Sequence, residues 1–308
     1  MPLWLLLTLT AAAGQNLRSS VQKHLKGRLG TGSVTWVRFG FGWPFALCYL
    51  FGIAAASGLA LPSPPPVFFA YATVAALAQV GAQALLIALF SLRNFAAGSA
   101  YARVEPVFAA MLAPALLGDV IGWGAAFGIG VSVAGVVLVS LSDDLSPRGV
   151  LAALRTRAAG MGLASALLFG LSAVLYRGAA LSLDVADADG VIGGWSAMLR
   201  GAATNSYAIV LQTVLVGAWL TWREPAQWGR IAAAWRPSLL VGFVGATVSL
   251  GWFAAFALQQ AAIVKAVAQV ELILAILTSA LVFRERVAGT EIVGACLIGA
   301  GVVALLAV

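Results

Sequence analysis

Glu105 and Glu271 are the residues from which chemistry is most readily argued. Each lies about nine residues inside a long apolar run, which at about 1.5 Å of helical rise per residue sets it roughly 14 Å deep, near the middle of a bilayer. An ionisable group at that depth is costly unless paired or hydrated, so it is a functional candidate by default. Burial favours the neutral form of a carboxyl group and a neighbouring cation favours the charged form; that opposition suits a proton carrier. Spacing makes Arg38 and Arg200 the expected partners, each entering from the same side as its glutamate and roughly 7 Å in. The expected pairs are therefore Arg38 with Glu105 and Arg200 with Glu271. The competing reading is that each glutamate merely neutralises an arginine and fixes helix packing. Arginines standing apart from the acids would instead bind an anion in a cavity.

Other polar residues within the apolar runs are weaker candidates. Arg103 points about 200° around a helix from Glu105 and does not share its face. Lys265, one and a half turns before Glu271, is expected to snorkel to the interface, and Arg18 and Arg177 to anchor there. Gln79 and Gln83, four residues apart, share a helix face suited to hydrogen-bonding a substrate or a neighbouring helix. Trp43, Tyr101 and Trp252 are candidate cavity-lining aromatics. Pro44, Pro106 and Pro114 free backbone carbonyls inside spans and allow kinks. Cys48 and Cys296 read as small core residues. No Ser/His/Asp set, phosphate-binding glycine loop or metal-ligand spacing is present, so no enzyme activity, no cofactor and no ATP-driven pumping is expected.

These residues need long helices to position them. Of 308 residues, 62% are hydrophobic and 9% charged, against roughly 25% charged in a soluble domain. So much apolar surface cannot be hidden in one core, and the remainder must face lipid. Apolar runs of about 20 residues, the length that spans a bilayer, repeat along the chain. They predict an all-α integral membrane protein with ten transmembrane helices, over 3–21, 34–56, 67–90, 96–117, 121–141, 158–181, 195–221, 237–258, 262–283 and 290–308. Met1 to Gly14 read as the start of the first span rather than a cleaved leader, because no basic residue precedes the apolar stretch.

The halves are similar. At an offset of 166, Phe90 meets Phe256, Glu105 meets Glu271, Asp119 meets Glu285, Gly128 meets Gly294, and Ala134 to Val137 meet Ala300 to Val303. At smaller offsets Arg38 meets Arg200 and Arg18 meets Arg177. Chance aligns Ala, Val and Gly easily, but not rare charges within spans. The division is a first five-helix repeat at 1–145, a linker at 146–157 and a second repeat at 158–308. Five spans per repeat invert the second relative to the first, an architecture that places a transport site near the midplane. Twelve of the 18 basic residues lie in odd-numbered loops, including Lys26, Arg28, Arg223, Arg230 and Arg236. The positive-inside rule then sets those loops in the cytoplasm and both termini outside. The same topology accounts for the net charge of +7 without nucleic acid as a partner. Small residues at four-residue spacing, Gly124 with Gly128 and Ala295 with Gly299, suit close helix packing within the monomer or across a homodimer.

Glu105 to Ala110, Leu117-Gly118-Asp119 and Gly128 to Gly135 resemble the end of an EamA-type repeat of the drug/metabolite transporter superfamily. Glu271, Phe283 to Arg286 and Gly294 to Gly301 resemble a second copy, with Leu272 where the first has Pro106. The resemblance implies ten helices, export or exchange of small metabolites or drugs, often with protons, and cytoplasmic termini, opposite to the charge count. The expected function is a secondary active transporter working by alternating access in a multi-pass inner-membrane protein, with a small-molecule substrate and membrane lipid as partners. The alternative is a non-transporting membrane protein that handles lipid or stabilises a partner.

Overall fold

The computed structural model describes residues 1–26, 28–89, 102–140, 156–185, 193–273, 276 and 289–307. Phe90, Arg93, Tyr101, most of the 146–157 linker, Asp187, Asp189 and Phe283 to Arg286 lie outside them. Among the described residues the regular elements are all α-helices: α1 Leu3–Lys26, α2 Thr31–Gly40, α3 Trp43–Ser57, α4 Pro66–Leu89, α5 Glu105–Leu117 and α6 Trp123–Ser140, then α7 Arg157–Ser182, α8 Gly193–Arg223, α9 Gln227–Ala233, α10 Trp235–Leu258, α11 Ala261–Val267 and α12 Gly289–Leu306. Among the described residues five stretches are long and apolar enough to cross a membrane: α2 with α3, α4, α7, α8 and α10. α5, α6 and α12 are shorter apolar helices. α1 has the length, but Gln15, Asn16 and Arg18 interrupt its apolar character.

Among the described residues three expected single spans are broken, two of them at a proline and the span at 262–283 without one. A proline ring clashes with the carbonyl four residues earlier and supplies no N–H. Pro44 therefore ends α2 at Gly40 and restarts the chain as α3, with Pro44 in its first turn. Pro106 does the same for the run expected at 96–117: Arg103 and Val104 form a turn, and α5 begins at Glu105. Both restarted helices end on a left-handed glycine, Gly58 at φ 69° and Gly118 at φ 71°, a backbone region that other residues enter at a cost. Pro114, by contrast, sits inside α5 without ending it.

The helices pack into two compact units, and each unit draws on both halves of the sequence. The first comprises Met1–Val80 with Leu175–Gln260, the second Gly81–Val174 with Ala261–Val308. α10 is the central helix of the first unit. It packs against α1, α2, α3 and α8, and 67% of its apolar window is buried, the largest share of the five spans. Small residues allow the approach: a Cβ added to Gly201 of α8 would lie 2.6 Å from the backbone nitrogen of Ala254. Apolar clusters in this unit form around Phe68, Ala179 and Leu199 and around Phe39, Ile209 and Ala246.

In the second unit α6 and α12 pack backbone to backbone. A Cβ on Gly135 would come within 2.6 Å of the Gly294 carbonyl oxygen and 2.8 Å of the Ile298 nitrogen. One on Gly301 would come within 2.6 Å of the Ser132 nitrogen and 2.7 Å of the Gly128 carbonyl oxygen. At the offset of 166, Gly128, Ser132 and Gly135 correspond to Gly294, Ile298 and Gly301. Each contact is therefore the image of the other. Partner numbers fall along α12 as they rise along α6, so the two helices run antiparallel. Gly299 has open space around it.

Cys48 and Cys296 are free and exposed rather than core residues. In a membrane helix an apolar stretch faces lipid as readily as it faces protein.

Candidate functional site

Glu105 and Glu271 occupy matching positions in the second unit, each just after a helix break. Glu105 is the first residue of α5. Glu271 follows a turn at Ala268 and Gln269, where the backbone tightens: the N–H groups of Gln269, Glu271 and Leu272 each bond three residues back, to Ala266, Ala268 and Gln269. Leu272 replaces the proline of the first copy, so this second break does not depend on one. A carboxylate at the start of a helix is favoured by the N–H dipoles pointing at it. The two breaks also meet. The Gln269 side-chain amide donates to the Arg103 carbonyl oxygen at 2.9 Å, an acceptor released because the Val107 N–H turns to Val104. Residues 103 and 269 are themselves related by the repeat offset.

Each glutamate is held by a cation from the other half of the chain. Lys265 Nζ lies 3.2 Å from Glu105 Oε1, and Arg103 Nη2 lies 3.5 Å from Glu271 Oε1. These partners differ from the expected Arg38 and Arg200, which belong to the first unit. Lys265 is not snorkelling. Its side chain is 12% exposed and that of Glu105 15%, while Glu271 is 5% and Arg103 31% exposed. At the offset of 166 the acids correspond while the cations do not: Arg103 precedes Glu105 by two residues, and Lys265 precedes Glu271 by six. Together the four side chains form a neutral, largely buried cluster whose most accessible member is Arg103.

The first unit carries the other polar candidates. Arg38 is buried, donates to Ser249 Oγ at 3.2 Å and lies over the Phe39 ring. Arg18, expected at the interface, is instead buried; its stem and that of Arg38 both run beside Gly245, where a Cβ would sit 3.7 Å and 3.1 Å from them. Arg177 also does other work than anchoring. Its Nη1 donates to the carbonyls of Phe256 at 2.6 Å and Gln259 at 3.0 Å, closing the C-terminal end of α10. Such a cation satisfies the last carbonyls and the helix dipole together. Arg200 is half-buried, with its Nη2 3.5 Å from the Val185 carbonyl oxygen.

Gln79 joins a buried network in this unit. Gln212 Nε2 donates to Gln79 Oε1 at 2.8 Å and to the Ala76 carbonyl at 3.2 Å. The Tyr176 hydroxyl donates to Gln79 Oε1 and accepts from Gln212, both at 3.3 Å. Polar residues spaced at four on α4 hinted at this network, but its partners on α7 and α8 were not legible. Replacing Gln212 with leucine is expected to lower stability by about 1–3 kcal/mol, the cost of leaving buried polar groups unpaired. Thermal unfolding in detergent would measure it. Gln83, in the second unit, is buried. Trp252 is buried on α10 and stacks on Phe256; Trp43 opens α3 and is 40% exposed. Tyr101 is outside the described residues.

The model of the EamA-like transporter family matches residues 2–141. Residues 2–141 are therefore similar to EamA-like transporters. The matched segment contains Arg38, Gln79, Gln83, Arg103 and Glu105. The chain superimposes on a solved structure described only as "Crystal structure of protein", with a TM-score of 0.69 at 15% identity, over 98% of this chain and 94% of that one. At that identity the likeness speaks for the fold alone. No curated protein matches the chain. The matched segment and the apolar helices together indicate a multi-pass membrane protein.

Proposed function

We propose that the chain is a secondary active transporter of small metabolites or drugs in the inner membrane, working by alternating access with proton coupling at Glu105 and Glu271. The observation that carries this reading is the matched placement of the two glutamates, each at a helix break and each paired with a cation from the opposite repeat. Discontinuous helices at membrane depth are a recurrent device for building transport sites. Protonating either carboxylate removes the attraction that holds its cation, so the cluster couples proton uptake to a change of helix contacts. Ten spans as two inverted five-helix repeats are part of the proposal. The reciprocal antiparallel contacts of α6 and α12 support it, because a two-fold axis between antiparallel spanning helices lies in the membrane plane.

The test is flux in liposomes under an imposed pH gradient, using a library of small metabolites. The parent protein is expected to move at least one compound faster with the gradient than without it. Glu105→Gln and Glu271→Gln are each expected to remove that dependence. Gradient-dependent flux unchanged in both variants would remove the glutamates as proton carriers.

A further inference from the structure

One end of the first unit carries a basic cavity that plays no part in the proposed transport chemistry. The segment after α1 meets α9 there. Gln227 Oε1 accepts from the Gly30 N–H at 3.4 Å and from Ser33 Oγ at 3.2 Å, tying the two segments together. Between them lies a cavity of about 270 Å³ lined by Arg28, Leu29, Arg230, Ala233 and Ala234. That is smaller than the roughly 300–1,000 Å³ of a drug-sized ligand's pocket. Both arginines are exposed, whereas Leu29 and Ala234 are buried, so the cavity has a charged rim and an apolar floor.

Its surroundings define its level and its charge. α8 ends at Arg223 and α10 begins at Trp235, so the cavity lies level with the ends of two spans. Trp222 is 75% and Trp235 51% exposed. Arg223 stacks over Trp222 at 4.5 Å and Arg236 over Trp235 at 5.5 Å. Exposed tryptophans at span ends mark the headgroup layer, where an indole has one side in hydrocarbon and the other in water. The stretch from Trp222 to Arg236 holds three arginines and a single acid, Glu224. That carboxylate is turned inward: its Oε2 is buried beside Gly30 and the Gln227 amide. What faces outward is cationic.

We propose that this cavity binds the phosphate of an anionic phospholipid, held between Arg28 and Arg230, with the glycerol end against Leu29, Ala233 and Ala234. Two guanidiniums suit a phosphate because each presents paired N–H donors in a plane. The bound leaflet is the one that loops one and seven face, and Arg223 and Arg236 enrich acidic lipid around it. The site is independent of the glutamate cluster.

Thermal unfolding of the purified chain in detergent, titrated with phosphatidylglycerol or with phosphatidylcholine of the same acyl chains, tests this. Phosphatidylglycerol is expected to raise the midpoint and phosphatidylcholine to leave it unmoved. Each basic residue near an anionic surface contributes a factor of about five in affinity. Arg28→Gln with Arg230→Gln should therefore weaken the phosphatidylglycerol response about thirtyfold, and Arg28→Lys with Arg230→Lys should keep most of it. Inorganic phosphate is expected to have no effect at the same concentrations. Equal stabilisation of the glutamine variant and the parent, or a shift reproduced by phosphate alone, would overturn the lipid assignment.

Discussion

Lys265→Met is expected to be among the most damaging single substitutions in the protein. It removes the ammonium 3.2 Å from Glu105 and leaves a carboxylate only 15% exposed. Breaking one side of a buried ion pair costs about 3–5 kcal/mol, because the remaining charge stays desolvated. The lower part of that range is expected here, since Glu105 is also the first residue of α5, where the helix dipole favours a carboxylate. Adding Glu105→Gln to Lys265→Met removes the orphaned charge and should recover more than half of the loss. A double-mutant cycle read by thermal unfolding in detergent measures the coupling. If the losses of the single variants simply add, the two residues do not act as a pair. The Arg103–Glu271 pair should behave alike with a smaller loss from Arg103→Gln, because Arg103 is 31% exposed and partly solvated before the change.

Gly135→Leu and Gly301→Leu are each expected to abolish the folded protein. A side chain at either position begins with a Cβ within 2.6 Å of backbone atoms on the facing helix, and a backbone cannot rotate aside as a side chain can. α6 and α12 would have to separate along their whole contact. Even Gly135→Ala and Gly301→Ala should each cost about 1–3 kcal/mol, as overpacking does in a close-packed interior. Gly299→Ala is the control: the space there is open, and alanine should be neutral or slightly stabilising by its helix propensity. The two damaging positions are images of one another, so their alanine variants should lose similar amounts. Yield of monodisperse protein and thermal midpoint give the readout. A harmless Gly135→Ala would mean that the helices are not in backbone contact.

The helix breaks bear on the proposed proton coupling. A continuous helix through residues 96–117 would bury Glu105 in mid-helix with its backbone groups internally bonded. The break instead puts the carboxylate at a helix start and exposes the Arg103 carbonyl for Gln269 to bond. Restoring continuity by Pro106→Leu, the residue of the second copy, tests how far the first break depends on proline, since the second break forms without one.

The amino-acid sequence by itself determined the class of the protein and singled out two acids within its apolar runs. Helical, lipid-facing structure follows from the length of each apolar run, which is a local property and legible residue by residue. Glu105 and Glu271 stand out because a charge within such a run is rare, and their offset of 166 pairs them without any coordinates. Which cation holds each acid was decided only by tertiary structure. Lys265 and Arg103 reach their partners because α11 packs against α5, a neighbour relation set by the whole chain's connections and by no local pattern. For the same reason Arg18 and Arg177, alike in sequence and both expected at the interface, diverge: one is buried beside Gly245 and the other closes the end of α10. Hydropathy reports the solvent a segment prefers. It carries no information on which segment lies alongside, and pairing between charges is a property of neighbours.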